Sequence, residues 1–303
     1  MEYCNLCPRN CHVSRVGHRI GVCGQSENIK IARAALHFWE EPCISGTNGS
    51  GAVFFSGCSL HCIYCQNHEI ANGNNGREIS VEHLSEIFLD LKEQGAHNIN
   101  LVTATQFIPQ IIKAIESARN QGMDLPIVYN SSGYEKVDTI RMLEGIVDIY
   151  LPDFKYMDSE LAYRFSHAVD YPVVAKAAVR EMVRQIKSPV YTNREDLELM
   201  LKGIIVRHLV LPGHIRNTKE VIRYLYETYG NEIVLSIMSQ YTPMPHILSG
   251  DIQELKRKVT KREYQKVVEF CCEMGITNAF IQEGDVALES FIPAFDGYGV
   301  KGV

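Results

Sequence analysis

Apolar runs of strand length alternate with amphipathic runs of helix length through most of this chain, and that rhythm leaves few folds open. Candidate strands are 52–56, 99–103, 126–130, 147–151, 204–210, 233–237 and 277–281. Helical periodicity marks 81–94, 107–121, 136–144, 158–167, 173–187, 193–202, 217–229 and 251–274. Pro109 suits the first turn of its helix, and Ser80 and Asn217-Thr218 are candidate caps. Repeated strand–helix units make a parallel sheet with helices outside it, so the expectation is an α/β fold, an open or closed β/α barrel. In such barrels the side chains that do chemistry stand at the carboxyl ends of the strands. The 303 residues, 46% of them hydrophobic, suffice for one barrel-sized domain plus an appendage. The division expected is a cysteine-rich extension over 1–50 and a barrel over 51–303.

The first strand, Ala52-Val53-Phe54-Phe55, leads through Ser56-Gly57 into Cys58-Ser-Leu-His-Cys62-Ile-Tyr-Cys65. Three thiolates spaced C-x3-C-x2-C can hold three corners of a cubane [4Fe–4S] cluster and leave the fourth iron to an exogenous ligand. A structural zinc site completed by a distant histidine uses the same atoms. A second group lies earlier: Cys4, Cys7, Cys11 and, past two glycines, Cys23. Four soft ligands within two dozen residues read as one compact metal knuckle, either zinc or a second Fe–S cluster. His12 and His18 read as solvated loop residues. Cys43, Cys271 and Cys272 show no ligand spacing and read as small buried hydrophobes.

The remaining strand ends carry polar groups. The second is followed by Thr103-Ala-Thr105-Gln106, and the third ends in Asn130-Ser131-Ser132-Gly133. Both can offer hydrogen bonds to a ligand, and both also suit caps and turns. The fourth reads Asp148-Ile-Tyr-Leu-Pro-Asp153-Phe-Lys155-Tyr-Met-Asp158, where the Asp153/Lys155 pair can hold a zwitterion or form a salt-bridged strand exit. Arg207-His208 lies on the fifth strand, and Gln240-Tyr241 follows the sixth.

Ten cysteines at ligand spacings, with no export signal at the amino terminus, favour metal binding in a reducing cytoplasm over disulfides. No apolar run approaches the roughly 18 residues that span a bilayer, so no membrane partner is expected. A net charge of −6 provides no global field for nucleic acid.

The cysteine loop, with Tyr64 before its third cysteine, resembles that of the radical SAM superfamily. The resemblance implies a partial (β/α) barrel, a [4Fe–4S] cluster on Cys58, Cys62 and Cys65, and S-adenosylmethionine on the open iron. It places Tyr64 near the adenine, and Asp153 and Lys155, in a stretch similar to D-L-K-x-x-D, near the methionine moiety and the reaction space. Thr103, Thr105, Asn130, Ser132 and Arg207 are further candidate cofactor contacts. Arg207 opens a stretch resembling the R-H-x-x-V-P-G of activating enzymes for glycyl radical enzymes. Those enzymes carry a histidine where this chain has Gln240 and Tyr241, and the Gly-Gly-Glu segment common after the second strand is absent. Nearly the whole length, including the terminal Pro293-Ala-Phe-Asp296, resembles the PflX-like branch related to pyruvate formate-lyase activating enzymes.

The resemblance thus implies a radical SAM enzyme, served by a flavodoxin or ferredoxin-type electron donor, that abstracts hydrogen from an undefined small molecule or protein. Activation of a glycyl radical enzyme is an alternative, and an Fe–S electron carrier or sensor without S-adenosylmethionine chemistry is another.

Overall fold

Along each parallel strand, alternate side chains turn inward or outward, and the inward set changes character from the amino to the carboxyl end. A computed structural model describes residues 3–194, 197–282 and 293–300. The chain begins with β1 (Ile29–His37), α1 (Pro42–Ser45), β2 (Ser50–Phe55), α2 (His68–Ala71), β3 (Arg77–Ile79) and α3 (Val81–Glu93). It continues through β4 (Ile99–Val102), α4 (Ile108–Asn120), β5 (Ile127–Ser131), α5 (Val137–Arg141), β6 (Ile149–Pro152), α6 (Ser159–Ser166) and α7 (Tyr171–Gln185). The remainder is β7 (Val190–Arg194), β8 (Leu197–Leu209), α8 (Ile215–Tyr229), β9 (Val234–Met238), α9 (Pro245–Leu248), α10 (Lys261–Glu273) and β10 (Ala279–Ile281).

The sheet order is β10-β9-β8-β6-β5-β4-β2-β1-β3, with β7 paired to β8. From β2 through β10 the neighbours are parallel, an open partial barrel. β1 adds to β2 antiparallel and β3 adds to β1, so Ile29–His37 belongs to the sheet although it falls within the 1–50 segment. Outward residues such as Val53, Phe55, Leu101, Tyr129, Tyr150 and Val206 join the large core under the helices. Inward residues near the strands' amino ends, Val128, Ile149, Leu151, Ile205 and Val234, form a second apolar cluster inside the barrel.

That interior is closed by two segments whose role the sequence does not show. Cys43 and Ile44 of α1 and Met200 of β8 pack into the inner cluster. Of the expected helix over 193–202, residues 193–194 belong instead to β7 and 197–202 to β8, which pair antiparallel, and 195–196 lie outside the described residues. Its leucine-rich composition suits a helix, but pairing with β7 and burial of Met200 within the barrel override propensity. The expected helix over 251–274 is also broken: Gln253–Lys256 is a 3₁₀ turn and α10 starts afresh at a Thr260–Glu263 capping box. Ser80 caps α3 as expected. Asn217 does not cap α8; it lies within the helix and accepts from the backbone N–H of Met157 at 2.8 Å. Cys43 and Cys271 are buried, whereas Cys272 is exposed.

The amino-terminal segment sits against the cysteine loop and is tied there by Arg9. Its guanidinium donates to the carbonyls of Ser59 (2.8 Å) and Leu60 (3.2 Å) in the loop, and of Ser166 (2.9 Å) and His167 (2.5 Å) at the end of α6. His61 Nε2 lies 2.8 Å from the Val22 carbonyl, and a side chain at Gly57 would collide with the Cys23 carbonyl. Arg9→Ala should cost about 2 kcal/mol and leave the first 25 or so residues cleavable by a limiting protease before the barrel. Unchanged proteolysis would show that the other contacts suffice.

Candidate active site

The inward positions turn polar toward the carboxyl ends. Above Val128 stands Asn130, above Leu151 stands Asp153, above Ile205 stands Arg207 and above Val234 stands Ser236, and all four polar residues line one cavity of about 490 Å³. Cys58, Cys62, Cys65 and Tyr64 line its rim, together with Thr103, Ser132 and Lys155. Ten of the sequence-chosen residues therefore share one space: the three loop cysteines, Tyr64, Thr103, Asn130, Ser132, Asp153, Lys155 and Arg207.

Several of these positions are held under local constraint. Thr103 has φ of +59°, a left-handed conformation costly for a β-branched residue. The Gln106 side-chain amide fixes that turn by donating to the Thr103 and Ser56 carbonyls, both at 2.8 Å. Lys155 Nζ is 2.5 Å from Asp153 Oδ2. Burial disfavours its charge, but the neighbouring Asp153 carboxylate more than compensates and holds the Lys155 pKa well above its ordinary value. The Tyr171 hydroxyl, buried behind the pair, donates to the Ser132 carbonyl (2.8 Å) and accepts from the Lys155 backbone N–H (2.9 Å). Asp158, the last residue of the Asp153/Lys155 stretch, is the N-cap of α6.

Three expectations are placed differently. Thr105 does not line the cavity; it is buried on the other side of the strand ends, with Oγ1 2.9 Å from Glu135. Arg207 does line the cavity, but its Nε and Nη2 are engaged by Glu41 and Glu40 from the segment that leads into α1. Burial opposes the Glu41 charge, yet Arg207 beside it keeps that carboxyl below its ordinary pKa. Gln240 lines the cavity, whereas Tyr241 is buried and donates to the Leu255 carbonyl at 2.7 Å.

Glu40, Glu41, Tyr171 and Glu135 had no sequence signal that singled them out. Glu135 is fully enclosed, and burial pushes its pKa up to about 7 against hydrogen bonds from Thr105 and Tyr129. The unfolded chain releases this proton near the ordinary value of 4.5, while the folded chain keeps it to about 7. Stability therefore falls as pH rises between those values and levels off above them, a loss of about 3 kcal/mol. Glu135→Gln should remove that loss, gaining on the parent from pH 4.5 to 7 in urea unfolding of the metal-free protein. Parallel pH curves would contradict the assignment.

The donor set fits a [4Fe–4S] cluster. Three cysteines face one cavity, and burial pushes the Cys62 thiol up to about 11 and the Cys65 thiol higher still, so these groups lose their protons on binding metal. In the amino-terminal segment, Cys11 and Cys23 Sγ both approach the same point beside Gly21, at 3.3 and 3.7 Å from where a Cβ would stand. Cys4 and Cys11 both act electrostatically on Cys23, and Cys4 and Cys23 on Cys7, so the four lie in one neighbourhood.

The radical SAM superfamily model matches residues 52–225 of the 303. The chain belongs to the radical SAM superfamily. It is 26% identical over 274 residues to the uncharacterized protein MJ0674 of Methanocaldococcus jannaschii, covering 88% of this chain and 73% of that one. It is 25% identical over 201 residues to the pyruvate formate-lyase-activating enzyme of Clostridium pasteurianum, covering 62% of this chain and 79% of that one. Among solved structures, Streptococcus suis SuiB bound to its precursor peptide SuiA superposes with a TM-score of 0.51 at 13% identity, over 76% of this chain and 47% of that one. The hydrogenase maturase HydG superposes with a TM-score of 0.50 at 15% identity, over 75% and 50%. These two share the fold, and this chain spans about half their length. As a radical SAM protein the chain is an enzyme of the class that pairs a [4Fe–4S] cluster with S-adenosylmethionine. No helix among the described residues is long and apolar enough to cross a membrane.

Proposed function

We propose that this protein cleaves S-adenosylmethionine reductively and directs the resulting radical at a small molecule, or a single side chain of a protein, held in the barrel cavity. The observation that carries this reading is the convergence of Cys58, Cys62 and Cys65 with the Asp153–Lys155 pair on one cavity of about 490 Å³, a size typical of small-ligand sites. Held by Cys58, Cys62 and Cys65, a [4Fe–4S] cluster would supply the single electron that reductive cleavage of S-adenosylmethionine requires.

The chain's own residues bind and orient. Asp153 and Lys155 offer opposite charges to the amino and carboxylate groups of a methionine moiety. Thr103, Asn130 and Ser132 offer hydrogen bonds at neighbouring strand ends, and Tyr64 lies on the side of the cysteine loop. Phe54, Leu209, Met238 and Phe280 give the wall apolar area that excludes water. Arg207, already paired with Glu40 and Glu41, stands level with Asp153 in the cavity wall, where a substrate would meet it.

Hydrogen abstraction from a glycyl radical enzyme is the second reading, supported by the identity to the Clostridium pasteurianum activating enzyme. Gln240 in the cavity, where activating enzymes carry a histidine, favours a different substrate. A flavodoxin or ferredoxin-type donor would supply the electron. The four amino-terminal cysteines would hold zinc or a second Fe–S cluster, and a reducing cytoplasm would suit both sites.

Anaerobic reconstitution followed by EPR of the reduced protein, with and without S-adenosylmethionine, tests the proposal. The expected result is a cluster signal that changes with S-adenosylmethionine and formation of 5′-deoxyadenosine. A cluster indifferent to it, with no product, would return the protein to electron transfer or sensing.

A further inference from the structure

A buried chain of hydroxyl groups ends on the middle cysteine of the loop. Tyr64 Oη lies 2.6 Å from Tyr156 Oη, which lies 2.8 Å from Ser166 Oγ, which in turn lies 3.1 Å from Cys62 Sγ. Tyr156 and Ser166 are wholly buried and Tyr64 is 4% exposed, so water does not compete for these groups.

Each hydroxyl has one proton to give. A thiolate bound to iron has none, so Ser166 is the donor to Cys62. Its proton then being committed, Tyr156 donates to Ser166, and Tyr64 to Tyr156. All three O–H dipoles therefore point toward Cys62, an arrangement in which each bond polarises the next.

The placement of Ser166 is not left to α6 alone. Ser166 is the last residue of that helix, and Arg9 bridges its carbonyl and that of His167 to the carbonyls of Ser59 and Leu60. The Ile63 backbone N–H donates to the Phe165 carbonyl at 2.9 Å, a second strut between the loop and the helix end. One guanidinium from the amino-terminal segment thus sets the distance between a hydroxyl and a cluster ligand more than a hundred residues apart in sequence.

We propose that Ser166 is a positioning residue for reduction of the cluster, donating a hydrogen bond to Cys62 Sγ with Tyr156 and Tyr64 behind it and with Arg9 holding the geometry. The inference rests on the cluster assignment above. A hydrogen bond to a ligand sulfur favours the more negative, reduced form and raises the reduction potential. It would ease electron acceptance from a biological donor.

The test is potentiometric EPR of the reconstituted protein and of variants matched for iron content. Ser166→Ala should make reduction about tenfold less favourable, a downward shift of about 59 mV for one electron. Ser166→Thr, which keeps the hydroxyl, should stay within about threefold of the parent. An alanine variant with full iron content and an unchanged potential would overturn the proposal, as would a threonine variant shifted as far as alanine. Should the alanine variant hold no cluster, Tyr156→Phe decides. That change removes the group behind Ser166, so a smaller downward shift supports the chain of donors and an unchanged potential refutes it. A parent protein that takes up no [4Fe–4S] cluster would refute the underlying functional reading, a result distinct from any of these.

Discussion

A Cys62→Ala chain is expected to fold and to cleave no S-adenosylmethionine. Cys62 is one of three cysteines facing the cavity, and its loss leaves two thiolates for four irons. The cluster carries the difficult step, so 5′-deoxyadenosine formation should fall on the order of a thousandfold or more, to background. The fold should barely notice, because removing one half-buried sulfur costs about 1 kcal/mol. Cys43→Ala is the matching control. Cys43 is a buried cysteine packed with the inner apolar cluster, and its removal should cost a similar stability while leaving cleavage near the parent's. Product assayed by chromatography, with thermal unfolding followed on the same samples, separates the two. Cleavage surviving in Cys62→Ala would remove the cysteine loop from the chemistry.

The second large effect is expected at Gly133, which ends the Asn130-Ser131-Ser132-Gly133 turn. Its φ is +74°, and a Cβ there would stand 2.0 Å from the Asp153 carbonyl oxygen and 3.1 Å from the Tyr171 hydroxyl. Alanine would bring a left-handed penalty of about 1–2 kcal/mol. It would also push β6 away just where Asp153 and Lys155 are presented. Together these should exceed about 3 kcal/mol, a fall in melting temperature of roughly 5–10 °C. Gly122 has φ of +94° with nothing within 4 Å of its would-be Cβ, so Gly122→Ala isolates the conformational term. Gly133→Ala should melt well below Gly122→Ala. Equal melting temperatures would mean that the Asp153 backbone retreats without cost.

Much of the barrel was legible because its signals are local. An apolar run of strand length followed by an amphipathic run reports its own secondary structure, and all seven expected strands are found. The polar residues at their ends follow from the topology, since parallel strands bring their carboxyl ends together. Elements that failed this reading are those whose identity depends on partners. β8 runs for 13 residues because β7 and the barrel interior claim its first half, while that half, read alone, resembles a helix. β1 lies ahead of the repeating units and joins the sheet in the opposite direction. Thr105 shows the same limit at the level of one side chain. Its sequence neighbours Thr103 and Gln106 serve the strand exits, but the turn points its hydroxyl to Glu135.

By itself the sequence determined the chemistry available: three cysteines at one strand exit, four near the amino terminus, and an Asp/Lys pair two residues apart. Ligand type and close spacing are covalent properties of the chain and survive without a fold. Only the tertiary structure decided what each group does with its neighbours. Arg207 meets Glu40 and Glu41 across more than 160 residues, and Ser166 meets Cys62 across 104. Such pairings depend on the stacking of α1 and α6 against the sheet and on the burial that removes water as a competitor, and neither is encoded in any short stretch of sequence.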